Sequence, residues 1–280
     1  MRLIQSTTLA GTWLEACEHL LGRPAWFDTT VVLHVDEPGR VPRQDRAVAE
    51  ALDEFLVSHG MYSNHTVAET IFPGYEYVHR GVEGVFKVYP DEIYPRIKDL
   101  PEIRRWGTYA HRLVRRTDDE GREYNPLEEL IKKMQQKQPV RAAYELGFGF
   151  GFDLATYDDD EDRDHRMGGP CLSHLSFKLI ENRVHLTALY RSHHYVQRAF
   201  GNLLGLARLQ GFVAEQVGAD NGPLVCHSTM ALLDHGVKKN KKTHEEKGWR
   251  ESEVAPLLER CGSLFREPIA PAATVSAGGA

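Results

Sequence analysis

Apolar positions change their spacing several times along the chain, and each change predicts an element. From Thr12 to Leu21 (TWLEACEHLL) they recur at helical spacing and stop at Gly22, ahead of Pro24. Thr29 to Val35 (TTVVLHV) is rich in β-branched residues and predicts a strand, closed by the turn cluster Asp36-Glu37-Pro38-Gly39. Helical spacing returns over about 44–59, halted by Gly60, and again over roughly 65–72. Residues 84–116 are mixed in pattern. After the Asp118-Asp119-Glu120-Gly121 turn, Asn125-Pro126-Leu127-Glu128 predicts a helix start, with a capping asparagine, proline at the first helical position and glutamate three residues past the cap. Leu127, Leu130, Ile131 and Met134 then define one buried face, and Lys132, Lys133 and Lys137 the solvated one.

Two alternating runs, 175–180 and 184–190, joined by Glu181-Asn182-Arg183, predict a hairpin. A long helix over about His194 to Val217 follows, apolar nearly all round between Ala199 and Val213, which places it inside a domain. The acidic stretch 158–166 (DDDEDRDHR) lacks the glycine and terminal glutamate of a calcium loop and predicts a solvated insertion. Residues 237–248 form a charged surface run, and 269–280 predict a disordered tail. With no internal repeat and no interior linker, residues 1–268 count as a single α/β domain.

Composition narrows the function. The 280 residues carry 34 Lys+Arg against 40 Asp+Glu, a formal net charge of −6, which excludes bulk electrostatic binding of nucleic acid. Small anionic ligands held by a few placed arginines stay open. Four cysteines (Cys17, Cys171, Cys226, Cys261) are too sparse for a disulfide scaffold and lack the paired spacing of a zinc site. His174, His185, His193 and His194 could converge on paired strands, but neutral histidines along a polar cavity wall account for them and no metal is expected. No run of 18 apolar residues occurs and the N-terminal apolar stretch is too short for a signal peptide, so a soluble, cytoplasmic protein without membrane contact is expected.

The chemically informative stretch is Gly168-Gly169-Pro170-Cys171, followed by the hairpin and Tyr190-Arg191-Ser192. A cysteine after such a turn and near arginines is a candidate nucleophile, because positive charge populates the thiolate. A small buried hydrophobe is the alternative. From Cys171 onward the chain resembles thymidylate synthase and the pyrimidine nucleotide hydroxymethylases. In that family the nucleophilic cysteine follows a proline, a second strand ends in Gln-Arg-Ser, and the next helix carries Pro-Phe-Asn. Here Pro170-Cys171, LSHLSFKLIENRVHLTALY, Arg191-Ser192 and HHYVQRAFGNLLGLARL keep the Cys-to-Arg-to-Asn spacing without a gap, with Asn202 at the pyrimidine-reading asparagine. More loosely, VAETIF places Glu69 at the family's catalytic glutamate, WGTYAHRLV places Tyr109 at an active-site tyrosine, and PVRAAYEL places Arg141 at an arginine that reaches the partner subunit's phosphate.

The resemblance implies a mixed β-sheet covered by helices, with a homodimer formed by sheets packing back to back and Arg141 acting in trans. It implies that Cys171 adds to C6 of a pyrimidine nucleotide and that C5 takes a methyl or hydroxymethyl group from 5,10-methylenetetrahydrofolate. Arg191 and Ser192 would hold the phosphate, and the Arg191 charge would keep Cys171 ionised. Asn202 would read the base edge and Glu69 would move protons. The chain also departs from the family. Leu172 replaces the histidine after the cysteine, and His194 the aspartate that contacts the pterin. Leu232 and Asp234 stand at the sugar-gripping His-x-Tyr pair, unless a shorter loop brings His227 to the histidine, and Val140 stands in place of one paired arginine. Three alternatives follow: one-carbon transfer to a pyrimidine nucleotide other than the usual one, folate-independent C6 addition, or a nucleotide-binding regulatory dimer without turnover.

Overall fold

The computed structural model describes residues 1–100, 103, 107–118, 120–136, 144–148, 171–239 and 246–267. Arg141, the acidic stretch 158–166, Gly168 to Pro170 and the tail 269–280 lie outside the described residues.

In chain order the elements are β1 (Arg2–Ser6), α1 (Leu9–Leu21), β2 (Phe27–Val35), α2 (Arg43–Ser58), α3 (Asn64–Glu69), α4 (Gly74–Glu83), a π-helical stretch (Gly84–Ile93) and α5 (Tyr94–Ile97). Then come α6 (Tyr109–Val114), the short pair β3 (Arg116–Thr117) and β4 (Glu123–Tyr124), α7 (Pro126–Met134), β5 (Glu145–Gly147), β6 (Leu172–Ile180) and β7 (Arg183–Tyr190). The chain continues through β8 (His193–His194), a π-helical turn (Tyr195–Ala199), α8 (Phe200–Val217), β9 (Asp220–Leu232), the short pair β10 (Lys238–Lys239) and β11 (Glu246–Lys247), and α9 (Glu251–Arg266).

The main sheet is mixed, in the order β1-β2-β9-β7-β6-β5, with β8 adding to the end of β9. Strands β1 and β2 run parallel, as do β7 and β9, while β2–β9, β6–β7 and β5–β6 are antiparallel. The period of two divides the strands into two faces. Ile4, Val31, Leu33, Leu224, Cys226, Leu186, Ala188, Leu175 and Phe177 are buried on one face, beneath α1 and α8. On the other face Leu3 is exposed, and Val32, His34, His185, Leu189, Val225 and His227 are half-buried.

The predicted helices and hairpin are present, with one shift. The long helix starts only at Phe200, because His193 and His194 extend the sheet and the next five residues take π geometry. Helix α8 is buried along most of its length and ends at Gly218, whose left-handed φ of +71° caps it. Two glycines let α3 lie close to it. A β-carbon on Gly201 would stand 2.6 Å from Val67 Cβ, and one on Gly205 2.8 Å from the Ala68 carbonyl oxygen. Helix α9 packs on α1 and α2. Among the described residues no helix is long and apolar enough to cross a membrane.

Candidate active site

Cys171 sits at the mouth of the β6–β7 hairpin. Its carbonyl accepts the Arg191 N–H at 2.9 Å, so the end of β7 is locked beside the cysteine. Leu172 pairs with Tyr190 and His174 with Leu189, leaving Ser173 as a bulge that bends the strand just past the sulfur. The third element is α6. The Tyr109 hydroxyl accepts the Leu172 N–H at 3.0 Å, which sets the phenol against the cysteine's backbone. Thr108 caps that helix through the His111 N–H at 3.1 Å, and its hydroxyl lies 2.7 Å from the buried Tyr89 hydroxyl. The Tyr89–Thr108–Tyr109 sequence of contacts therefore holds the phenol in place.

Burial pushes the Cys171 thiol up, and the charges of Arg191 and Arg198 pull it back only in part. The expectation that the Arg191 charge keeps the cysteine ionised is corrected here, because desolvation outweighs both guanidinium groups. Burial likewise raises the Tyr109 phenol, which keeps its proton at neutral pH.

Asn202, in the first turn of α8, is buried, and its Nδ2 lies 3.0 Å from His193 Nε2. His193 Nδ1 is 3.0 Å from Ser228 Oγ, and Ser228 Oγ is 3.1 Å from the Tyr195 hydroxyl. With the amide donating to Nε2, the ring proton resides on Nδ1 and is donated to Ser228. His193 also stacks flat on Tyr190, centroids 4.1 Å apart. Burial, with His194 adding to it, pushes His193 down to about 3, so the ring is neutral. Asn202 thus enters the site through a neutral histidine.

The neighbouring His194 is exposed, its Nδ1 4.0 Å from Asp234 Oδ2. Asp234 Oδ1 accepts the N–H groups of Val196 at 2.9 Å and Gln197 at 3.4 Å, pinning the π-helical turn. Burial raises its carboxyl, with His194 opposing. Ser192 is half-buried beside exposed Arg191.

Glu69 and His227 stand apart. Glu69 Oε1 pairs with Arg208 at 3.2 Å, and both carboxylate oxygens accept the Tyr75 N–H at the start of α4, at 3.2 and 3.3 Å. Its carboxyl is raised by burial, against the pull of the Tyr75 N–H, Arg208 and His65. His227 pairs with Val32 and Leu189, on the sheet face opposite Cys226 and Ser228, and so faces away from the Asn202–His193 group.

Three residues of this corner escaped notice as site residues in the pattern: His193 as the partner of Asn202, Ser228, and Arg198. The signal for Arg198 was present. It is one of two cations in a largely apolar run, 195–213, and a charge at such a place needs a reason.

No family model matches the chain. A protein of Methanococcoides burtonii named "Putative thymidylate synthase" is 27% identical over 167 residues, 53% of this chain and 72% of that protein. Proteins of the same name from Methanothermobacter thermautotrophicus and Methanosarcina acetivorans are 32% identical over 120 residues and 31% identical over 129. Those two matches cover 43% and 46% of this chain and 48% and 53% of the relatives, so the chain spans about half of their length. The chain is thus similar, at modest identity, to archaeal proteins named putative thymidylate synthase. His194 pairs with Leu232 at the end of the sheet, and Asp234 lies two residues beyond.

Proposed function

We propose that the chain catalyses one-carbon transfer to C5 of a pyrimidine nucleotide through a covalent bond between Cys171 and C6. The observation that carries this is the convergence of Cys171, Arg191 and Tyr109 on one hairpin mouth, with Asn202 held by His193 on the adjoining helix. Arg191 and Ser192 bind the 5′-phosphate, an acceptor group suited to a guanidinium fork. Asn202, fixed by His193, offers the rest of its amide to the N3/O4 edge of the base.

Addition of Sγ to C6 breaks the C5–C6 π bond and places the electron pair on C5. Tyr109 keeps its own proton and can donate it to the base or to a water while its oxygen accepts from Leu172. Loss of the C5 proton would expel the carrier's amine and leave an exocyclic methylene on the base, and addition of water (giving hydroxymethyl) or of hydride (giving methyl) to that carbon would restore the C5–C6 double bond and release Sγ. When bound, 5,10-methylenetetrahydrofolate supplies the one-carbon unit at the formaldehyde oxidation level. A pterin presents N–H donors that suit a carboxylate. Asp234 fits that need, since its Oδ1 accepts two backbone N–H groups while its Oδ2 lies 4.0 Å from His194. Two copies of the chain cover the open sheet face that bears Leu3, Val32 and Val225, in a homodimer whose Arg141 reaches the partner's phosphate.

The test is release of tritium from C5-labelled uridine, deoxyuridine and cytidine monophosphates, with and without the folate. Release by the wild-type chain, lost in Cys171→Ser, supports the reaction. A requirement for folate separates one-carbon transfer from bare C6 addition, and no release from any nucleotide by the folded dimer contradicts both.

A further inference from the structure

We propose that Tyr195, Ser228 and His193 form a buried hydrogen-bond chain that fixes the Asn202 amide and so decides whether the site accepts a uracil or a cytosine edge. This rests on the nucleotide reading above and adds to it the residues that set the choice of base.

The chain has four members. The Tyr195 hydroxyl lies 3.1 Å from Ser228 Oγ, Ser228 Oγ 3.0 Å from His193 Nδ1, and His193 Nε2 3.0 Å from Asn202 Nδ2. All four residues are buried. They come from β8, the π-helical turn, α8 and β9, so the backbone holds both ends. The ring between them is held as well. Tyr190 stacks flat on it, the Tyr195 ring meets it at 61°, and its backbone pairs with Ala231 of β9. What can still change in such a ring is the place of its proton.

A neutral imidazole carries one N–H and one bare nitrogen. Burial makes the charged form of His193 expensive, so the ring donates at one end and accepts at the other. When Nδ1 donates to Ser228, Nε2 must accept, and the amide nitrogen of Asn202 is the group that supplies the hydrogen. When Nε2 donates, the amide oxygen must face it, and Ser228 must donate to Nδ1. The two arrangements differ by half a turn of the amide. Any mixture of them sets two hydrogens or two lone pairs against each other in a buried place.

That half turn matters to a ligand. Uracil offers a ring N–H beside a carbonyl oxygen, whereas cytosine offers a bare ring nitrogen beside an amino group. An amide can read either edge, and the order of its oxygen and nitrogen decides which. A free asparagine would turn to suit both bases. Asn202, with its nitrogen on His193, is committed to one order, and Ser228 keeps it there by taking the Nδ1 proton.

The test has two readouts on the full chain. Long-range nitrogen–proton NMR of histidine-labelled protein reads the His193 tautomer, its signals assigned by their loss in His193→Phe. Tritium release from C5-labelled uridine and cytidine monophosphates gives the ratio of kcat/KM for the two bases. In the wild type a single Nδ1–H tautomer is expected, with a preference of about tenfold or more for one base. Ser228→Ala leaves Nδ1 without its acceptor, so the proton should move to Nε2 and the ratio should shift about tenfold toward the other base. His193→Phe keeps a flat ring on Tyr190 and frees the amide, so its ratio should approach one. A merely structural role would lower both rates alike and leave the ratio where it was. Unchanged ratios in the folded variants overturn the proposal, as does a wild-type ring in any form but the single Nδ1–H tautomer. The NMR readout needs no turnover. A wild-type chain that releases no C5 tritium but loses the Nδ1–H tautomer in Ser228→Ala therefore defeats the nucleotide reading and leaves the coupling of ring to amide standing.

Discussion

Two corners of the molecule use the same kinds of residue to opposite ends. At the start of α4, Glu69 and Arg208 satisfy each other, and the leftover carboxylate capacity caps a helix through the Tyr75 N–H. At the mouth of the β6–β7 hairpin, the charges of Arg191 and Arg198 bear on a half-buried thiol, which burial nevertheless keeps protonated. Both corners border α8. Closed pairs hold elements together, whereas cations beside a nucleophile favour its anionic form. The contrast separates a stabilising arginine from a chemical one more sharply than burial does.

The contrast breaks most completely at the sulfur. Cys171→Ala should abolish C5 tritium release, by about 1,000-fold or more, because the covalent step has no substitute. The thermal midpoint should stay within a few degrees of wild type, since the cysteine is only half-buried. Calorimetry alongside the release assay checks both, and retained release would move the chemistry elsewhere.

Next in size is the seam that holds the Glu69 corner to α8. Gly205→Val would drive its side chain into the Ala68 carbonyl and Ile71, at a cost of about 2–4 kcal/mol by overpacking. Urea unfolding followed by circular dichroism measures it. Alkylation of Cys171 in the protein that remains folded should be unchanged, which would show that the two corners are independent.

The hydrogen-bonded histidine behind Asn202 gives a pH signature. His193, at about 3, and His111, pushed down to about 4 by burial and by Arg115 and Arg112, are neutral in the fold and take up a proton on unfolding below about 6.5. The unfolded chain binds more protons in this window, so stability is full above about 6.5 and is lost as pH falls toward 4. The expected slope is roughly 2 kcal/mol per pH unit for the two histidines together, read from urea midpoints at pH 6.5, 5.5 and 4.5. His111→Gln should shallow the slope without removing it, and a flat dependence would mean that His193 charges readily and is not sealed.

The smallest effect belongs to the closed pair. Glu69→Ala and Arg208→Ala should each cost about 1 kcal/mol, and the double variant little more than either, because both side chains are partly solvated. Additive losses would show that the two do not act as a pair.

The patterning showed most of the helices and the central hairpin, because these carry clean apolar periods. It did not show β9, the longest strand, whose buried face is built from Leu224, Cys226 and Ser228 after a Gly-Pro start, so that no hydrophobic alternation stands out. Strand β1 and α9 were also missed. In α9 only one stripe is apolar, Val254, Leu257, Leu258 and Cys261, with Pro256 inside it and charge around it. At the site, the spacing from Cys171 to Arg191 to Asn202 was visible in one dimension, since a hairpin and the helix after it preserve sequence order. The partnership of Asn202 with His193 and Ser228 was not, because it depends on β9 lying next to β7 across 38 residues of chain. The side of the sheet that His227 occupies was equally hidden, as register, and not residue type, decides it.

The most direct measurement is intact-mass spectrometry of the chain after incubation with 5-fluoro analogues of uridine, deoxyuridine and cytidine monophosphates, with and without methylenetetrahydrofolate, followed by peptide mapping. A stable adduct confined to Cys171, formed with one analogue and dependent on folate, is the predicted result. An adduct on another residue, or none with any analogue in folded protein, would contradict the assignment of Cys171 as the nucleophile.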